Sequence, residues 1–435
     1  MIKKINLELL SKIIMVLSLF SSLILSAIYG IDERLGTIFN YSLFALALLY
    51  LVILLISGTF KTDFKDKIVI AIYVFLIGFF MTVLINNKII DNAKFFIFAI
   101  IQSYIIYRYS RINREFCIKL LKLFILCVFT FNLISLVMYL LDIELSFYVD
   151  RFCGLYSGPN IGSAVVAFSA ILSVVIVTIE KKKWELWFVA INIILSMFLL
   201  SSFNSRSGVV VYFAFVFLFP IVYQCLKSRK VIKSIFIGIL TFIVTIALFY
   251  GTKESFKIIK DYTSNIYVIS QKNHNKQQAS DKRDNENIEA SNKFRFALIQ
   301  YGIQTGFEHP LLGIGDRNIA DAIEANSPFH IIGIQGGGVH NVYVGVFVSN
   351  GFVGLASFLF ILISIVLINL KKLKLFLKTG ETDENTLINA GLFVVFLCFL
   401  GYGFLESNLI ISASVITTLF WITAGLVSED GKQIN

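Results

Sequence analysis

Twelve apolar runs of about twenty residues, joined mostly by short polar connections, leave this chain few ways to fold. A helix rises about 1.5 Å per residue, so roughly 20 apolar residues cross a hydrocarbon layer of about 30 Å. Every backbone polar group is then satisfied within its own segment. The runs lie near 11–29, 38–57, 68–85, 93–107, 118–141, 161–179, 184–202, 207–226, 231–250, 341–370, 387–405 and 408–427. They predict an all-α polytopic integral membrane protein with about 12 transmembrane helices. The runs are continuous rather than alternating, which excludes an outer-membrane barrel. With 57% hydrophobic residues, 15% charged residues and a mean hydropathy of +0.81, the composition excludes a soluble globular domain. The first run lacks a small-x-small cleavage site, so it reads as a retained helix and not a signal peptide.

Basic residues set the orientation. With the N-terminus in the cytoplasm, the cytoplasmic connections hold 23 Lys and Arg, against five in the short loops opposite: Arg34, Lys88, Lys94, Arg151 and Arg206. The positive-inside rule therefore predicts two cytoplasmic termini and an extracytoplasmic 251–340 loop. That loop carries 10 basic and 10 acidic residues, so the net charge of +10 comes from the cytoplasmic side. The basicity is thus a topology signal, and a nucleic-acid partner is not expected. The chain divides into helices 1 to 9 (1–250), the large loop (251–340) and helices 10 to 12 (341–435).

The loop is where chemistry is expected, because holding helices together does not require ninety residues outside the bilayer. Gly251 to Ser270 suits a helix continuing out of the ninth span. Gln271 to Asn292 has almost no apolar residue and is expected to be disordered. Phe294 to Thr305 has the two-sided pattern of a helix at the membrane surface, ended by His309-Pro310. Gly313-Ile314-Gly315 reads as a turn, with Asp316 placed to cap a short helix to Ala325.

Charges are costly near apolar spans, so those lodged on the outer side are the candidates. Arg206, in Ser201–Gly208, is flanked by Ser205, Ser207 and Asn204, which suits an anion site as well as lipid phosphate. Arg295 opens the surface helix between Phe294 and Phe296, and also reads as an aromatic-flanked anchor. Arg151 precedes a shaped turn containing Gly154, Gly158, Pro159 and Asn160. His340 stands at the mouth of the tenth span, and an imidazole there can take a proton from a hydroxyl. Asn341 beside it can orient a ligand or cap the helix. Glu406, near the outer end of the eleventh span, is a possible carboxylate partner. No pair of histidines has metal-ligand spacing and no DxD occurs, so neither a metal nor a cofactor is expected. Five scattered cysteines suggest no disulfide framework.

Four local patterns in this order resemble the O-antigen ligases and the O-antigen or capsular polysaccharide polymerases. They are Arg151-x-x-Gly154 with Pro159-Asn160; Ser205-Arg206-x-Gly208; Arg295 with His309-Pro310-Leu311-x-Gly313-Ile314-Gly315; and His340-Asn341-x-Tyr343 with Gly351 and Gly354. The resemblance implies a C-type glycosyltransferase fold acting without metal on an oligosaccharide linked to undecaprenyl diphosphate. It implies diphosphate binding by Arg206 and Arg295, and His340 as base or acceptor-orienting group. Arg151, Asn160, Ser205, Asn341 and Glu406 are expected to line the substrate. The implied partners are the lipid-linked oligosaccharides, membrane lipid and, for a polymerase, a chain-length regulator. The abundance of Lys, Ile, Asn and Phe fits an AT-rich genome and tilts the expectation toward a capsule or exopolysaccharide polymerase over a ligase. The insert before Arg295 departs from the family pattern. A lipid-linked oligosaccharide flippase is the alternative of another class; it would place its charges mid-membrane.

Overall fold

In a computed structural model the chain is described at residues 7–27, 33–58, 65–148, 151–177, 183–270, 285–327, 338–380, 383–410 and 412–428. Among these residues, eleven helices are long and apolar enough to cross a membrane. They form where apolar runs meet good termini: Asp66 caps the helix at 67–85, and Asp383 caps the helix at 384–403. In order they are α1 (Leu7–Ala27), α2 (Glu33–Ser57), α3 (Lys67–Ile85), α4 (Ile89–Ala99) and α5 (Tyr107–Ile112), followed by α6 (Arg114–Leu140). A π-helical stretch, Ile100–Ile106, joins α4 to α5 into one span. A two-stranded hairpin, Phe147–Tyr148 with Arg151–Phe152, precedes α7 (Pro159–Val177), α8 (Lys183–Ser202) and α9 (Arg206–Ser228). Then come α10 (Val231–Ser270), α11 (Asn285–Glu308), α12 (Ile319–Asn326), α13 (Val342–Thr379), α14 (Glu384–Gly403) and α15 (Val415–Val427).

The bundle is built around α7, which is buried along almost its whole length. Phe168 of α7 stacks on Phe399 of α14 with ring centroids 3.8 Å apart and meets Tyr402 edge-on. Ser163 of α7 lies against Gly208 of α9, where an added Cβ would sit 2.6 Å from the Ser163 carbonyl oxygen. This close approach explains Gly208 and locks the start of α9 to α7. At the opposite end, Arg111 pairs with Asp66, and Arg114 donates to Asn389 at 2.5 Å.

Several expectations hold. The ninth span continues as one helix to Ser270, and α11 ends at Glu308, directly before His309-Pro310. Others are corrected. The expected disordered stretch falls outside the described residues only at 271–284; Asn285–Asn292 belong to α11. Asp316 does not cap α12: it opens a 3-10 turn, Asp316–Asn318, and the helix starts at Ile319. The twelfth run is not one span, because only the 13 residues Val415–Val427 are helical. Residues 404–410 and 412–414 are irregular, which at this depth requires protein partners for the backbone. The segment finds them on α15: Thr417 Oγ1 donates to the Asn408 carbonyl at 2.8 Å, and Trp421 Nε1 to that of Ile410 at 3.3 Å.

A second irregularity shapes the same end. Gly351 interrupts α13 with φ +62°. The freed carbonyls of Val348 and Ser349 accept from the N–H groups of Ile314 and Gly315, at 3.0 and 2.9 Å. The N–H groups of Phe352 and Val353 donate to the carbonyls of Pro310 and Leu311, at 2.7 and 3.3 Å. The 310–315 segment therefore replaces the missing turn of helix. A Cβ at Gly351 would lie 2.3 Å from the Leu311 carbonyl, so glycine is needed for φ and for space.

Candidate active site

Three of the residues singled out from sequence converge. Glu406, in the irregular segment after α14, is 3% exposed and lies between Arg295 and His340. Its Oε1 is 3.4 Å from Arg295 Nη2 of α11, and its Oε2 is 3.3 Å from His340 Nδ1. The two partners remain part-exposed at their side chains, so each presents the rest of its donors or acceptors outward. A neutral imidazole whose Nδ1–H faces Glu406 keeps its Nε2 lone pair available, which is the arrangement a general base needs. His340 has φ +49°, a left-handed conformation uncommon for residues other than glycine. The start of α13 holds it there: Asn341 caps the helix, its Oδ1 accepting from the N–H groups of Tyr343 and Val344, both at 3.0 Å. The Asn341 amide also reaches the Phe404 carbonyl at 3.4 Å, tying His340 to the Glu406 segment. Of the two sequence readings of Asn341, helix cap or ligand contact, the cap is the one observed.

Arg295 is placed by packing. Leu298 of α11 is buried with Ile314, Ile319, Ile323, Val339 and Val348, and Gly302 sits against Val339 and Val344. The helix thus lies on the first turns of α13, and Arg295 meets the site from its side.

Arg206 stands exposed at the first position of α9, at the same end of the bundle. The backbone just before it is pinned by side chains. Arg151 Nη2 donates to the carbonyls of Phe203 and Asn204 at 3.0 and 2.9 Å, and approaches Asn160 Oδ1 at 3.5 Å. Asn204 has φ +50°, and Ser205 is buried with its hydroxyl 3.4 Å from that of Ser207. Arg151, Asn160 and Ser205, expected to line the substrate, are brought together, and their observed contacts hold the backbone that presents Arg206.

A cavity of about 460 Å³ opens beside the His340 and Glu406 segments, bounded by Val339 and Ser407. Its polar wall includes residues that the sequence did not mark for function, among them Asp91, Asp316, Arg317 and Asn408. The signal available was weak: Lys88 and Lys94 count only toward orientation, and Asp316 reads as a cap. Asp316 is half-buried, and loss of water around its carboxyl pushes it up to about 6, with Arg317 opposing the shift. The backbone here is held by buried Asn92, whose Oδ1 accepts from the Arg317 N–H at 3.0 Å.

Residues 191–359 match the family model described as O-antigen ligase. No curated protein matches the chain. The matched segment runs from α8 into α13 and contains Arg206, Arg295 and His340, while Arg151 and Glu406 fall outside it. This segment of the chain, which folds as an all-α multi-pass membrane protein, is similar to the O-antigen ligase family, and the similarity supports glycosyl transfer of the ligase or polymerase type.

Proposed function

We propose that this protein polymerises undecaprenyl-diphosphate-linked oligosaccharide repeat units into a surface polysaccharide, at the outer face of the cytoplasmic membrane. The observation that carries the reading is the buried Glu406 carboxylate joining Arg295 to His340, at the bundle end that also presents Arg206. In the proposed step an acceptor hydroxyl oxygen attacks the anomeric carbon of the donor sugar and inverts it. Its proton passes to His340 Nε2, and Glu406 balances the imidazolium that forms. The bond from the anomeric carbon to the diphosphate oxygen breaks, and undecaprenyl diphosphate leaves with the electron pair. The leaving group is already good, so the protein has mainly to hold its charge. Guanidiniums suit this because they stay ionised and bind phosphate oxygens in a fork.

The test uses the purified full chain in lipid nanodiscs with lipid-linked repeat units extracted from the parent strain. A ladder of extended glycans is expected from wild type. Ala at Arg206, Arg295 or His340 should abolish extension while the protein still accumulates in the membrane. Near-normal extension by all three variants overturns the proposal.

The match to an O-antigen ligase family favours a second reading, transfer of finished glycan to a lipid A core or a protein. Deleting the gene separates the two. Single repeat units still attached to their surface acceptor indicate a polymerase, and full-length glycan left on its lipid carrier indicates a ligase. A flippase fits less well, since the charged groups of this site gather at the end of the bundle and not along mid-membrane faces.

A further inference from the structure

We propose that the cavity beside the His340 and Glu406 segments is a saccharide subsite that holds uncharged sugar of the acceptor glycan. This inference rests on the glycosyl-transfer reading and assigns one of its two substrates to a place.

Position separates the two substrates. The cavity wall includes Gly338 and Val339, the residues leading into His340, and Ser407, which comes directly after Glu406. None of Arg151, Arg206 and Arg295 lines it. On the proposed reading the donor's diphosphate is held by Arg206 and Arg295, whereas the acceptor needs only to bring one hydroxyl to His340 Nε2. A cavity that borders the histidine's own segment, and that none of these arginines lines, therefore suits the acceptor.

Chemistry of the wall narrows the ligand. The charges are largely balanced within the protein: Lys88 Nζ lies 2.5 Å from Asp321 Oδ2, and Asp91 Oδ1 is 2.9 Å from Lys94 Nζ. The Arg317 guanidinium rests over the Phe95 ring, 5.4 Å from its centroid. The wall also carries the Asp316 carboxylate with Ser407 and Asn408, the Ser407 hydroxyl donating to Asn408 Oδ1 at 3.3 Å, a carboxylate, hydroxyl and amide set suited to sugar hydroxyl groups. The volume of about 460 Å³ lies within the range of about 300–1,000 Å³ usual for small-molecule sites.

Gly345 supplies an independent observation. It lies inside α13 and lines the cavity, yet a Cβ added there meets nothing within 4 Å. Glycine disfavours a helix interior relative to alanine, and here no neighbouring atom requires it. Space kept open at that cost is space for a ligand.

The experiment uses the full chain in nanodiscs and, as probe, an octyl glycoside prepared from the parent strain's own repeat unit. It lacks a diphosphate and so acts only as acceptor. Gly345→Leu, which fills the cavity, and Asp316→Asn should each raise its KM at least about tenfold. The KM for the lipid-linked donor should stay within about twofold. Unchanged acceptor KM in both variants, with melting temperatures no lower than wild type, overturns the inference and leaves the proposed function standing. If wild type transfers nothing, the proposed function falls, and saturation-transfer NMR with the same probe decides the saccharide site. Ring-proton signals lost in Gly345→Leu support it, whereas signals absent from wild type or equal in both proteins overturn it.

Discussion

Glu406 joins the two halves of the site, and a carboxylate this buried is tolerated only when paired. It faces both a guanidinium and an imidazole, so its charge supports the proposed diphosphate-binding residue and the proposed base together. Glu406→Gln preserves shape, but it replaces one of the two accepting oxygens with a donor and removes the charge that balances an imidazolium. The expected result is a fall in kcat of about 10²-fold or more, with accumulation in the membrane near wild type, measured by the nanodisc extension assay. Asp316 gives a pH prediction. Its folded carboxyl titrates at about 6 against an ordinary 3.8, so the folded chain holds the proton to higher pH than the unfolded chain does. That contribution to stability is complete below about pH 4 and is lost as pH rises through about 6. Asp316→Asn mimics the protonated form throughout. Its melting temperature should match wild type near pH 4 and exceed it at pH 7; equal melting at both pH values contradicts the shift.

At the scale of elements, the helix break at Gly351 matters most. It turns four backbone groups of α13 toward the 310–315 segment, and so joins the histidine-bearing helix to the extended segment beyond α11, the helix that carries Arg295. Gly351→Ala forces a residue with a Cβ to φ +62° and drives that atom against the Leu311 carbonyl. The φ cost alone is of order 1–3 kcal/mol. A lowered melting temperature and reduced chain extension are expected, both read on purified protein, whereas a variant as stable and active as wild type refutes this account of the break. The short α15 belongs to the same scale. Its thirteen residues are buried, and their side chains satisfy the irregular backbone that carries Glu406.

The two ends of the molecule differ in character. The site residues gather at one end, and the Arg111–Asp66 and Arg114–Asn389 contacts lie at the other, where basic residues are frequent. The charge rule predicts that the site end faces outside. An epitope tag placed between 276 and 280 should therefore be labelled on intact spheroplasts, and a C-terminal tag only after permeabilisation. The reverse pattern would invert the topology. Replacing 271–284 with a Gly/Ser segment of equal length should leave extension within about twofold, since the residues proposed to act lie on either side of it.

Much of this was legible in the sequence. Apolar runs predicted eleven of the spans, because burial in lipid depends on the residues of each segment and on little else. Arg206, Arg295 and His340 stood out for the same local reason, as charges and a titratable ring set against apolar segments. Only the tertiary structure decided how Arg295 and His340 meet. Glu406 is 111 residues from Arg295 and 66 from His340, and nothing in its own neighbourhood announces either partner. Likewise, nothing beside Arg151 in the sequence announces that its Nη2 donates to the Phe203 and Asn204 carbonyls that precede Arg206. The twelfth run had the hydropathy of a span, yet long-range hydrogen bonds from α15 allow part of it to leave the helix. Hydropathy adds up residue by residue along the chain, whereas ion pairs and repaired backbone breaks exist only once distant segments have packed.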